Sequence, residues 1–376
     1  MARLHSRGSL SGIVQACAGL VLMLGAATLG AGPPCTAACP PLFLETRVVH
    51  LQGCEKTDFR YSGFCACGGS LVAMWAGPEP IELLVGDVEA GALKARVRLP
   101  FEPDCLRWSS ERHALYALGG SVDHRCLLVV DMTDPAAPRL HDPIRLPAGS
   151  SCVDVAADGS HQLACVADAR NPVVYVVDLV RRGVVGRIAL TGPCRCLSDL
   201  QQSGLLYAGV NRPGQTARGA ESWSGAIDVL DTRVRHRVQS VSIGSGQMVA
   251  LVRGPQRQTL YGIAGGRPTL VSAAIKPSGL LGPAVGARIA DSEFELVPLG
   301  GTGIVCSGDR TRLFTCVDYE YNARYVIAIQ PGTGAVLGRV ACAGTALDIV
   351  ASGKDGAPEV VVHESLGDVI AVKVGP

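Results

Sequence analysis

The chain has 376 residues, 48% of them hydrophobic and only 18% charged, which excludes global disorder and is ample for a large packed core. A formal net charge of +1 gives the chain as a whole no electrostatic reason to meet nucleic acid or an anionic membrane. The 46 glycines and 23 prolines fit a chain with many turns, valine is abundant, and helix-length patterns are scarce, so the composition leans all-β.

The N-terminus reads as a secretory signal over residues 1–31. Arg3 and Arg7 precede an apolar stretch from about Gly12 to Ala31, and small residues crowd its exit. Cleavage after Ala27 or Ala31 fits this layout; an uncleaved membrane anchor is the alternative, because the apolar stretch is near spanning length. A short Cys/Pro-rich linker, 32–42, follows. The chain is therefore expected to be secreted or periplasmic, with no membrane span once the signal is removed. Of its 15 cysteines, all but Cys17 lie beyond the signal, and in an oxidising compartment they read as disulfides first. No C-x-x-C-H occurs, and Cys35/Cys39, Cys65/Cys67 and Cys194/Cys196 have no matched second pair, so neither haem nor a zinc ribbon is indicated.

From residue 43 onward the chain repeats. Short strands begin at 70, 113, 161, 203, 258, 311 and 358, and most are followed by a strand–turn–strand unit such as "VVYVVDLVRRGVVGRIAL" at 173–190. A further strand precedes them, as in "CLRWSS" (105–110), "CVDVAA" (152–157) and "ALDIVA" (346–351). The expectation is a seven-bladed β-propeller of four-stranded antiparallel blades over 43–376. The last unit lacks an outer strand, and "TRVVHLQG" (46–53) has no other home, so an N-terminal strand is expected to close the ring.

The segment "CVDVAADGSHQLACVADARNPVVYVVDLVRRGVVGRIAL" resembles a YVTN-type propeller repeat, with its turn at Asp158-Gly159 and its V-x-V-x-D strand. The wider resemblance is to quinoprotein-amine-dehydrogenase-like and lactonase-like seven-bladed propellers. It is one of repeat shape over roughly 43–376. It implies a fold and carries over no catalytic residue, cofactor or activity.

Candidate site residues follow from this frame. Cys105, Cys152 and Cys196 fall at the entry of successive innermost strands, with Arg107, Asp154 and Asp199 shortly after and Asp348 comparable in the last unit. They read either as a polar site at the channel mouth or as disulfides and channel-lining residues. If Asp158-Gly159 make a two-residue turn, Cys152 stands opposite Cys165 as a disulfide candidate. Among the loops after the second strand of each unit, the fourth unit has the longest, 211–225, with Arg212, Arg218 and Trp223, and the sixth has 318–325, with Tyr319, Tyr321 and Tyr325. Trp223, Tyr319 and Tyr321, with Arg212 at the rim, suit recognition of a protein or glycan partner; Trp223 could equally fold back over a blade edge. No catalytic motif appears and the histidines are scattered, so no catalytic residue, metal or cofactor is indicated. The two functional expectations are an exported binding or scaffold propeller and, alternatively, an enzyme or redox-enzyme subunit with chemistry at the channel mouth.

Overall fold

Strand β1 (Leu44–Val49) pairs antiparallel with the last strand, β30 (Val369–Val374), from Leu44 opposite Val374 to Val49 opposite Val369. It belongs to a computed structural model that describes residues 44–49, 64–67, 71–76, 80–121, 123–158, 162–198, 203–215, 221–254, 258–265, 269–289, 296–298, 303–307, 311–319, 324–342, 346–351, 360–364 and 369–374. The expected signal (1–31) and linker (32–42) lie outside the described residues.

Between β1 and β30 the described strands form antiparallel sheets in chain order. The first contains β2 (Phe64–Ala66), β3 (Leu71–Ala76), β4 (Glu82–Asp87) and β5 (Ala92–Arg98). The second contains β6 (Pro103–Ser109), β7 (Ala114–Gly119) and β8 (Cys126–Asp131), edged by the short strands β9 (Arg139–Leu140) and β10 (Ile144–Arg145). The third runs through β11 (Cys152–Asp158), β12 (Leu163–Asp168), β13 (Val173–Asp178) and β14 (Gly183–Ala189). The fourth has β15 (Cys194–Leu197), β16 (Leu205–Gln215), β17 (Glu221–Asp231) and β18 (His236–Ser245). The fifth has β19 (Met248–Arg253), β20 (Thr259–Ala264), β21 (Thr269–Ile275) and β22 (Leu281–Arg288). The sixth places β23 (Leu296–Pro298) and β24 (Ile304–Cys306) beside β25 (Leu313–Tyr319), then β26 (Arg324–Ile329) and β27 (Val336–Cys342). β28 (Ala346–Ala351) and β29 (Val360–Glu364) lie inside β30 in the sheet that β1 completes.

Both faces of these sheets are buried, which is why the middle strands read as unbroken apolar runs. In β12, Ala164 and Val166 pack towards the second sheet while Cys165 and Ala167 pack towards the fourth. Such alternation gives each pair of neighbouring sheets its own core. Leu83 and Val85 meet Leu106, Leu115 and Val130; Tyr207 and Val229 meet Met248 and Leu260; Ile263 and Leu270 meet Leu313 and Ile327. The first strands of the sheets lie side by side: β2 with β6, β6 with β11, β11 with β15 and β15 with β19. β19 then meets β24, β24 meets β28, and β28 meets β2. The chain is a β-propeller of four-stranded antiparallel blades, and its innermost strands surround the axis.

One irregularity recurs. The innermost pairing shifts register between Pro103 and Cys105, Cys152 and Asp154, Cys194 and Cys196, Met248 and Ala250, and Ala346 and Asp348. A bulge at the start of an innermost strand re-aims the side chain that follows it. It therefore decides what faces the neighbouring blade.

Candidate functional site

The bulges set the equivalences. Cys105, Asp154 and Cys196 occupy the same position on three adjacent innermost strands, β6, β11 and β15. Cys152 corresponds to Cys194 instead, two residues earlier. Spacing alone pairs Cys105 with Cys152 and Cys196, because cysteine recurs at both positions of this unit.

Asp154 is 2% exposed. Its Oδ1 accepts from Arg107 Nε at 2.8 Å and from the Val155 backbone N–H at 2.8 Å; its Oδ2 accepts from the Leu197 backbone N–H at 2.8 Å. The Cys105 thiol points at Oδ1 from 3.8 Å. One carboxylate therefore joins β6, β11 and β15. Arg107 keeps its side chain half exposed while neutralising the buried charge. Cys196 packs so closely on β16 that a side chain at Gly209 would stand 2.5 Å from its Sγ. Burial pushes the Cys196 thiol far up, with the Asp154 charge adding to it and Arg107 opposing. The Cys196 thiol is therefore held protonated, and the carboxylate's bonds are made inside the protein. The arrangement clamps blades together. Asp199 lies outside the described residues, and of Asp348 only the strand position is described.

The disulfide candidate is corrected. Asp158 pairs with Leu163 across a longer connection than two residues, so Cys165 stands opposite Ala156 and Cys152 opposite Asp168. The two cysteines face opposite sides of the third sheet: Cys152 packs with Cys105 and Leu146, Cys165 with Leu206 and Val210. Cys126, Cys152, Cys194 and Cys196 are free thiols. Burial raises the Cys152 thiol to about 11, with the Ser150 hydroxyl opposing, which leaves roughly one part in a thousand as thiolate at pH 8. In protein unfolded without reductant, all four should be alkylated, whereas Cys152, Cys194 and Cys196 should resist reagent in the native state. A mapped Cys152–Cys165 disulfide would contradict this register.

Opposite Cys152, Asp168 is fully buried and caps its own turn. It accepts from the backbone N–H of Arg170 at 2.8 Å and of Asn171 at 3.0 Å, and its Oδ2 from the Asn171 amide at 2.9 Å. Burial raises its pKa, but these hydrogen bonds outweigh burial and the net shift is downward.

The long loop 211–225 is also corrected, because most of it is strand. β16 and β17 stay paired to Gln215 opposite Glu221, whereas β15 leaves β16 after Cys194 opposite Val210. The hairpin therefore projects about five residues past its inner neighbour. Pro213 sits in the projection, where no inner strand needs its missing N–H. Trp223 lies directly opposite Pro213 and is 38% exposed, and its carbonyl accepts from the Gly246 N–H at 3.0 Å. It stands on the projecting strand. Opposed residues share a face, so Arg212, opposite Ser224, lies on the other face from Trp223. Its guanidinium donates from Nη2 to Ser240 Oγ at 2.7 Å, and its stem would clash with a side chain at Gly192. Arg212 thus braces the hairpin and does not rim Trp223. Tyr319 ends β25 opposite Leu296, two sheets along, and its side chain is outside the described residues, as is all of Tyr321.

Sequence reasoning missed the polar ties between blades. The Asn211 amide donates to the Met248 carbonyl at 3.1 Å and accepts from its N–H at 2.6 Å, joining β16 to β19. Fully buried Asp228 accepts from the Thr191 N–H at 2.7 Å. Asn and Asp inside apolar strands were the available signal.

No family model and no curated protein matches the chain. Solved structures do, in 1282 chains, a breadth that carries fold and does not discriminate function. Among them is the hydrazine synthase of Kuenenia stuttgartiensis, with a TM-score of 0.64 at 11% identity over 86% of this chain and 99% of that one. At that identity the likeness is one of fold alone.

Proposed function

We propose that the chain is an exported β-propeller that acts as a binding or scaffold module, recognising a protein or glycan partner with the face that carries the β16–β17 projection. The observation that carries this reading is Trp223, held exposed on a paired strand beyond the blade body. A rigid aromatic placed this way loses little entropy on contact and is the usual anchor of an interface. The proposed patch is Trp223 with Pro213 beside it. The channel-mouth alternative is weaker, because Asp154 and Cys196 are engaged in inter-blade contacts.

The finer architecture belongs to the same proposal: seven YVTN-like blades in a ring closed by the N-terminal strand. Its support is the pairing of β1 with β30 and the succession of inner-strand contacts from β2 round to β28 and back. Export rests on the sequence of residues 1–31.

Trp223→Ala tests the function. With a partner isolated on the wild-type protein, the variant should bind about thirtyfold or more weakly, the equivalent of ~2 kcal/mol, with an unchanged melting temperature. A variant that binds normally but melts earlier would make Trp223 a structural residue and end this reading.

A further inference from the structure

Tyr116 on β7 and Tyr207 on β16 hold the same place. Each is the third residue of its strand, and each lies two residues before the partner of an equivalent innermost cysteine: Leu118 opposite Cys105, Gly209 opposite Cys196. Both pack against the next blade, and Tyr116 is 1% exposed. The Tyr207 hydroxyl donates to the Gly279 carbonyl of that blade at 2.9 Å. The Tyr116 hydroxyl has no hydrogen-bond partner among the described residues. Neither has Nη1 of Arg112, a second buried polar atom, in the turn that leads into β7. Arg112 precedes Ala114 and Tyr116 in steps of two, the alternation of one strand face. Burial raises the Tyr116 pKa and the Arg112 charge opposes it, so the phenol keeps its proton within the field of a cation.

The surroundings of the two tyrosines differ in size. Ala114 and Ala164 pack with Tyr116 where their equivalents Leu205 and Leu260 pack with Tyr207. Val177 in place of Ala273 returns only part of that volume. The carboxylates at this end of the second and third blades are bonded to their own turns. Asp131 Oδ1 accepts from the Thr133 N–H at 2.9 Å, and Asp178 Oδ1 from the N–H groups of Val180 and Arg181 at 2.9 and 2.8 Å. Two buried donors, one of them permanently charged, thus meet a widened apolar seam, and no described acceptor answers them.

We infer that the seam between the second and third blades binds a monatomic anion, chloride, held by Arg112 Nη1 and the Tyr116 hydroxyl. A buried cation needs a counter-charge, and an unbonded phenol needs an acceptor; one anion supplies both. The donor set decides its size. An oxyanion such as phosphate spreads its charge over several oxygens that each need partners, and two donors leave most of them bare. A halide carries its charge on one atom, so two donors among alanine and valine walls can hold it. The seam lies between other blades than the one that carries Trp223, so this site stands independently of the proposed partner face.

Thermal unfolding of the full chain in sodium chloride against sodium gluconate, at one ionic strength, tests this, because gluconate is too large for the seam. Replacing gluconate by chloride should raise the melting midpoint, by about 2 °C for each tenfold rise in chloride once the site is filled. Tyr116→Phe removes a hydroxyl that no described group satisfies, so in gluconate it should melt within about 1 °C of wild type. That variant and Arg112→Gln should each lose the chloride increment. Wild-type crystals soaked in bromide should show anomalous density between Arg112 Nη1 and the Tyr116 hydroxyl. Equal midpoints in the two salts would overturn the proposal and leave water as the seam's occupant. A chloride increment that either variant keeps, or bromide found only elsewhere, would overturn it too.

Discussion

Asp154→Ala should destabilise the protein by about 3 kcal/mol, the range for stripping one partner from a buried charge pair. The Leu197 N–H would lose its acceptor in a buried setting, and β6 and β15 would lose their common anchor. A carboxylate that served a ligand would behave otherwise: its removal would cost binding and spare stability. Arg107→Ala should also destabilise, by about 1–3 kcal/mol, because it leaves the buried Asp154 carboxylate without its counter-charge, which water reaching the half-exposed guanidinium site replaces only in part. Urea unfolding followed by tryptophan fluorescence measures both. An Asp154→Ala protein as stable as wild type would remove Asp154 from the framework and return it to the channel-mouth reading.

Removing residues 43–53 should be as damaging by a different route. The chain would lose β1, whose six residues pair with β30 from Val374 to Val369. Val49, 3% exposed, would leave its buried seat. More important, β30 would become a free edge of valine and isoleucine, ready to pair with another copy. A chain beginning at residue 54 should form aggregates on size-exclusion chromatography and lose a single cooperative melting transition. A monodisperse truncated protein with the melting curve of the chain that retains β1 would dismiss the closing role of that strand.

These outcomes bear on different layers of the sequence. Short unbroken apolar runs with a regular spacing of turn residues announced the strands, their order and the propeller class, because both faces of every blade must be buried and the chain can do this only with β-branched and small apolar residues in succession. The spare strand expected at 46–53 came from the same pattern; the structure describes a strand at Leu44–Val49, paired with β30.

Register was not legible. A bulge adds one residue to one strand without changing its composition, so Cys152 was aligned with Cys105 when Asp154 is its structural equivalent. The turn after β11 was read as two residues, and the longer connection moved Cys165 from Cys152 to Ala156. The segment 211–225 carries Gly, Pro and Arg and reads as a loop; pairing with β17 makes it strand and sends Arg212 and Trp223 to opposite faces.

What the sequence by itself determined is the all-β repeat, set by local pattern and by burial that each unit needs on both sides. What only the tertiary structure decided is which side chains meet. Arg107, Asp154 and Leu197 come from three units, and Asn211 meets Met248, 37 residues further on. Their proximity follows from the lateral packing of adjacent blades, a long-range geometry that neither composition nor spacing encodes.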